Sequence, residues 1–227
     1  KTIPRGEDVN YLAHAYRYFS DSDFVLGTQV PDFLNMVDRK ARARSEPAML
    51  HLKSPDSFLS RVAAGVVQHH RDDQAFHGSS EFLQLQERLS AHLRSHSPDP
   101  RGMRSWFTAH IAIEMLMDGA LHEQSPGILD ELYSIYSRCD VRQFRQTVET
   151  LTGRSLPTLD KQYAFFLSEK FLYDYSTDAG LLYRINRILQ RVGLEPFLPN
   201  EGQWVKVARS WVSNHLSTLM PMTEQVS

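Results

Sequence analysis

Apolar residues recur along this chain at spacings of three and four for most of its length. No stretch shows the sustained alternation of apolar and polar, rich in β-branched residues, that marks a strand. Ser57 to Phe76 is the strongest helix of the first half, with Phe58, Val62, Gly65 or Val66, His69, Asp73 and Phe76 in register. Before it, the periodicity predicts a helix over Val9–Phe19 with Asp8 as N-cap, and a short helical segment over Phe24–Asn35 around Gly27 and Pro31. After it come Glu81–His96, a loop at Ser97–Gly102, and a long helix over Met103–Glu123. Gly127–Cys139, Asp140–Thr152, Leu159–Tyr175, Ala179–Val192 and Gln203–Leu219 complete the series, with a turn-rich connection at Pro196–Gly202. No repeat or low-complexity linker divides the chain, so the expectation is one all-α helical bundle covering residues 1–227.

Composition narrows the function classes. With 227 residues, 41% hydrophobic and 23% charged, the chain can bury a full core and does not read as disordered. A net charge of −2 supplies no global basic field, which argues against nucleic acid as a partner. The Arg39–Arg44 run is locally basic and reads first as a solvated face or connection. Cys139 is the single cysteine, so no internal disulfide and no CxxC metal clip can form. No apolar run approaches the roughly 18 residues of a membrane span, and Lys1–Asn10 has no signal-peptide character. A soluble, cytoplasmic protein without stable membrane insertion is expected.

The histidines are placed unevenly. His69, Asp73 and His77 stand at i, i+4 and i+8 of one predicted helix, and His110, Glu114 and Asp118 repeat that spacing on another. Successive members of such a series are offset by only about 40° around the helix, so each trio projects from nearly one face. The apolar neighbours Val62, Val66 and Phe76 on one helix, and Ile111, Ile113, Met115, Leu116 and Met117 on the other, turn those faces inward. A buried acid is costly unless a cation or hydrogen bonds compensate it. Two such helices packed together would gather up to six nitrogen and oxygen ligands, as helix-bundle metal sites do. Each trio taken alone reads more simply as buried polar core. His14 then reads as a core histidine and Asp32 as a helix cap.

The blocks Asn10-Tyr11-Leu12-Ala13-His14, Gly27–Leu34 with Asp32, Gly65–His77, Glu114–Leu121, and Ser168-Glu169-Lys170-Phe171-Leu172 through Arg191 occur in the order seen in one known family. By these blocks the chain resembles the acyl carrier protein phosphodiesterases, a divergent branch of the HD-type metal-dependent phosphohydrolases. It departs from their pattern in carrying Val67 where they have histidine, Asp118-Gly119 where they have Asp-His, His77 for an acid, and an added His110. The richer histidine set is also similar to that of zinc-dependent phospholipase C proteins.

The resemblance implies an HD-like helical fold and one or two divalent ions, Mn²⁺, Zn²⁺ or Fe²⁺. Taken together with the spacing, the expected ligands are His14, His69, Asp73, His110, Glu114 and Asp118, with Asp32 and His77 completing the set. It implies a water activated by the metal for in-line attack on phosphorus, with release of 4′-phosphopantetheine from a carrier-protein serine. Asp73 is then expected to orient or deprotonate the nucleophile, and His70 and Arg71 to meet the phosphate or leaving group. Holo-acyl carrier protein is the implied partner, with Arg39, Lys40, Arg42 and Arg44 as a docking face. The competing expectations are a phospholipase C-like or other small-molecule phosphoesterase, and a non-catalytic helical binding protein whose polar cluster is structural.

Overall fold

The computed structural model describes residues 10–38, 40–96, 103–220 and 223–226. Among them every regular element is helical. Asp8, Arg39 and the loop at 97–102, each assigned a role from sequence, lie outside the described residues. Two compact units emerge, each assembled from separated stretches of chain. One comprises Tyr11–Ala75, Gly127–Lys170 and Pro221–Ser227; the other comprises Phe76–Pro126 and Phe171–Met220, with Asn10.

The first unit contains α1 (Tyr11–Ala15), α2 (Ser22–Val37), α3 (Ser45–Met49) and α4 (Ser57–His77) as far as Ala75. It also holds α7 (Ile128–Arg138), α8 (Val141–Thr152) and α9 (Leu159–Glu169). Asp21 starts α2: its Oδ1 accepts the Phe24 amide at 3.1 Å, satisfying a donor with no partner inside the helix. Pro31 sits inside α2 and cannot donate to the Gly27 carbonyl one turn earlier. Glycines let α2 and α4 touch backbone to backbone. A Cβ on Gly27 would overlap the Val62 carbonyl, and one on Gly65 would overlap the Phe24 carbonyl. The core is aromatic, with Phe166 stacking within 4.7–6.1 Å (ring centroids) of Tyr11, Phe33, Tyr133 and Tyr136. Its tyrosine hydroxyls are managed individually, as where Tyr163 donates to the Tyr136 carbonyl at 2.8 Å.

The second unit contains α5 (Ser80–His96), α6 (Met103–Gln124), α10 (Asp178–Arg191) and α11 (Trp204–Leu219), with 3₁₀ turns at Phe171–Ser176 and Pro199–Glu201. Phe82, Leu85, Leu89 and Leu93 form the buried stripe of α5. Gly119 brings α6 against the Tyr175 carbonyl, where a Cβ would stand at 2.8 Å. Asn186 ties α10 to the following connection by bonding both main-chain groups of Phe197, at 2.8 and 2.9 Å.

Three elements differ from the sequence expectation. The first helix ends at Ala15 rather than Phe19, and α3 is an element the periodicity does not predict. The helix expected over Leu159–Tyr175 stops at Glu169, because Lys170 takes a left-handed backbone (φ 46°). A 3₁₀ turn follows, and the aromatic residues of this stretch divide: Tyr163 and Phe166 join one core, Phe171 and Tyr175 the other.

Candidate metal centres

The residues singled out by their spacing contribute to two groups, one in each unit. The stripe on α4 is divided between them.

In the first unit, His14 from α1, Asp32 from α2 and His69 from α4 each offer a ligand atom, and these atoms lie within 4.8 Å of one another. Asp73, one turn beyond His69, is not one of this trio but contacts two of its members. Its Oδ1 is 3.2 Å from His14 Nε2 and its Oδ2 is 3.3 Å from His69 Nε2. His69 Nε2 stands 3.8 Å from Asp32 Oδ1, and the His14 and His69 rings pack at 4.1 Å. Donors each about 2.1 Å from one cation lie about 3–4 Å apart, which matches these separations.

His69 is held from behind. Its Nδ1–H donates to the Thr28 carbonyl at 2.8 Å, which turns Nε2 toward the two acids. A metal-binding imidazole is oriented in this way by its other nitrogen. The electrostatics show the same demand for positive charge. Burial and the nearby His14 push the His69 pKa down, but Asp73 and Asp32 prevail and it stands raised. Burial pushes Asp73 up, yet the imidazoles of His69 and His14 hold it well below the usual carboxylate range. Without a cation, protons on the imidazoles neutralise these acids. The same lone pairs are the ones that could hold a metal ion.

In the second unit, Glu114 on α6 is fully buried at 0% exposure, and its Oε1 meets His77 Nε2 at 2.9 Å and His110 Nε2 at 3.1 Å. The two imidazoles stack at 4.8 Å with their planes 18° apart. Phe82 stands edge-on to both. Behind His110, the Gln86 amide lies 3.4 Å from Nδ1. Glu114 Oε2 is buried and makes no hydrogen bond, a costly state for a carboxylate oxygen. Burial would raise the Glu114 pKa; His110 and His77 outweigh it and hold it lowered. This donor set also fits a transition-metal ion, with His77 and His110 partly open to solvent.

Asp118 belongs to neither group, although it is buried on α6 as its spacing implies. His70 and Arg71 are members of neither group. His70 Nε2–H donates to the Ala43 carbonyl at 2.7 Å, and burial, with His69 beside it, lowers its pKa, so it is a neutral tether. Arg71 is exposed and lines a surface hollow with Gln74, Ala75, Thr223 and Glu224.

Sequence reasoning passed over a buried network on the neighbouring face of α4. The Gln68 amide donates to Asp72 Oδ1 at 2.9 Å and to Thr223 Oγ1 at 2.6 Å. Thr223 Oγ1 in turn donates to Asp72, and the Val226 amide donates to Gln68 Oε1 at 2.8 Å. Two polar residues on an otherwise apolar helix face were the available signal; their partners lie some 150 residues away.

No family model, curated protein or solved structure matches the chain. The chemistry is therefore read from the side chains themselves. What they define is an all-α protein with two clusters of imidazoles and carboxylates, one buried and one partly open to solvent, that could hold a metal ion. No helix among the described residues is long and apolar enough to cross a membrane.

Proposed function

We propose that this protein is a metal-dependent phosphodiester hydrolase of the acyl carrier protein phosphodiesterase type, centred on His14, Asp32, His69 and Asp73. The observation that carries this reading is the convergence of three donors from three helices, with Asp73 against two of them and His69 bonded to the Thr28 carbonyl. A divalent ion held there lowers the pKa of a bound water and polarises a phosphoryl oxygen. His14, His69 and Asp32 would hold such an ion. Asp73 touches both imidazoles, and in this reading its carboxylate orients the attacking water. The group of His77, His110 and Glu114 provides the place for a second ion. The bond expected to break joins 4′-phosphopantetheine to a carrier-protein serine, as the sequence resemblance implies; the phosphodiester of a lipid or other small molecule offers the same chemistry.

The test is elemental analysis of the purified protein after reconstitution with Zn²⁺ or Mn²⁺, together with turnover of bis-p-nitrophenyl phosphate. One or two bound ions and metal-dependent cleavage are expected, with Asp73→Ala folded but inactive. If reconstituted protein retains no metal, the hydrolase reading fails and the clusters are buried polar core.

A further inference from the structure

The basic run noted in the sequence is ordered by the first unit in a way its composition does not reveal. From Lys40 to Arg44 exposed and buried positions alternate: Lys40, Arg42 and Arg44 face outward, while Ala41 and Ala43 are buried. The stretch is pinned to α4 where the Ala43 carbonyl accepts the His70 Nε2–H bond at 2.7 Å. His70 itself lies against His69, ring to ring at 5.4 Å. The three cations therefore run past the helix turn that carries the candidate centre.

The chain then enters α3, whose end projects two apolar side chains. Met49 is 45% exposed and Leu50, just beyond the helix, is 84% exposed, the largest value among the exposed large hydrophobic residues. Lys53 follows, also exposed. Among the described residues no carboxylate pairs with Lys40, Arg42, Arg44 or Lys53. Asp38, the acid nearest in sequence, is occupied by Arg154 at 3.6 Å and by the Lys40 amide. Within residues 40–53 these four cations face one acid, Glu46. The result is a local positive face on a chain that is slightly acidic overall.

We propose that this face, formed by Lys40, Arg42, Arg44, Met49, Leu50 and Lys53, docks on an anionic lipid surface. Unpaired cations beside an exposed leucine and methionine are the two components of peripheral membrane attachment. Charge draws the face to the headgroups, and a shallow apolar insertion holds it there. A stable protein interface buries about 800 Å² on each partner around an apolar core; two apolar side chains among charges make too small a core for that. The inference goes beyond the hydrolase reading and does not need it. If both hold, the centre carried by α4 works beside a membrane.

Cosedimentation with phosphatidylcholine vesicles, with and without phosphatidylglycerol, tests it on the intact protein. Binding is expected only to the anionic vesicles and should weaken with salt. Each basic residue at such a surface contributes about fivefold to partitioning. The triple variant Lys40→Glu, Arg42→Glu, Arg44→Glu should therefore lose well over tenfold, and Met49→Glu with Leu50→Glu should also release the protein. All five positions are exposed, so circular dichroism should show an unchanged fold, and metal content should also be unchanged. Equal binding to neutral vesicles, full retention by either variant, or absence of vesicle binding overturns the proposal. So does salt-sensitive capture by an acidic carrier protein in place of vesicles. Vesicle binding without phosphodiester turnover would support this surface while removing the hydrolase reading, so the two failures are distinct.

Discussion

His69 and Thr28 are joined by one hydrogen bond, 2.8 Å from the imidazole Nδ1 to the main-chain carbonyl, and that bond selects which ring nitrogen faces the acids. It couples the carbonyl ladder of α2 to the ligand stripe of α4. The nitrogen resonances of His69 should report it. Nδ1 is expected to stay protonated whether or not zinc is added, while Nε2 shifts on zinc binding. Loss of the Nδ1 proton in the zinc-loaded protein would place the ion elsewhere.

The second relationship is steric. Gly27 and Gly65 allow α2 and α4 to approach so closely that Asp32 and His69 reach one another. Alanine at either position drives a Cβ into main-chain carbonyl, where no side chain can yield. Over-packing of this kind costs about 1–3 kcal/mol. Gly65→Ala should lower the unfolding free energy measured in urea by that amount, and zinc affinity at the His14 centre should fall at least tenfold. Unchanged affinity in a destabilised variant would show that the helix spacing does not set the ligand geometry.

Glu114 makes a separate claim. Glutamine in its place keeps the shape but removes the charge that both His77 and His110 address. Hydrogen bonds to a charged group contribute about 1.5–3 kcal/mol, so Glu114→Gln should unfold at a clearly lower denaturant concentration. Zinc should then raise its melting temperature less than it raises the wild type's. An equal zinc-induced rise in the two proteins would remove this group as a binding place.

Protonation gives a fourth prediction, for the metal-free protein. Asp73 and Glu114 titrate below their ordinary values of 3.8 and 4.5. The stability they contribute is present above those values and is lost as pH falls through their lowered folded pKa values. His69 is raised above 6.5, so its contribution is complete below 6.5 and disappears as pH climbs through its folded pKa. Stability should therefore peak on the mildly acidic side of neutrality and decline in both directions. Zinc competes with the proton on His69, so its stabilising effect should grow with pH. Denaturation across pH, with zinc and with chelator, measures both slopes.

Much of the helical framework could be read from periodicity because α4, α5, α6 and α11 each bury a continuous stripe. Short elements escaped. α3 has five residues with Pro47 inside, too few to show a period. The break at Lys170 has neither glycine nor proline to announce it, and the apolar period runs on through it. For the site, spacing correctly placed His69, Asp73 and His77 on one helix face, and His110 and Glu114 on another. Spacing cannot say which neighbour each turn of a helix meets. His69 and Asp73 found His14 and Asp32, whereas His77 found His110 and Glu114. The Thr28 carbonyl left no trace, since every residue carries one.

The interleaved assembly of the two units bears on how the chain must be made. Residues 76–126 are finished before the first unit has received Gly127–Lys170, and they wait in turn for Phe171–Met220. During synthesis neither body can close on its first stretch alone, and their last stretches follow one another along the chain. A fragment cut at Pro126 would contain no finished body. Any dissection of this protein into halves should therefore be planned as co-expression of complementary pieces.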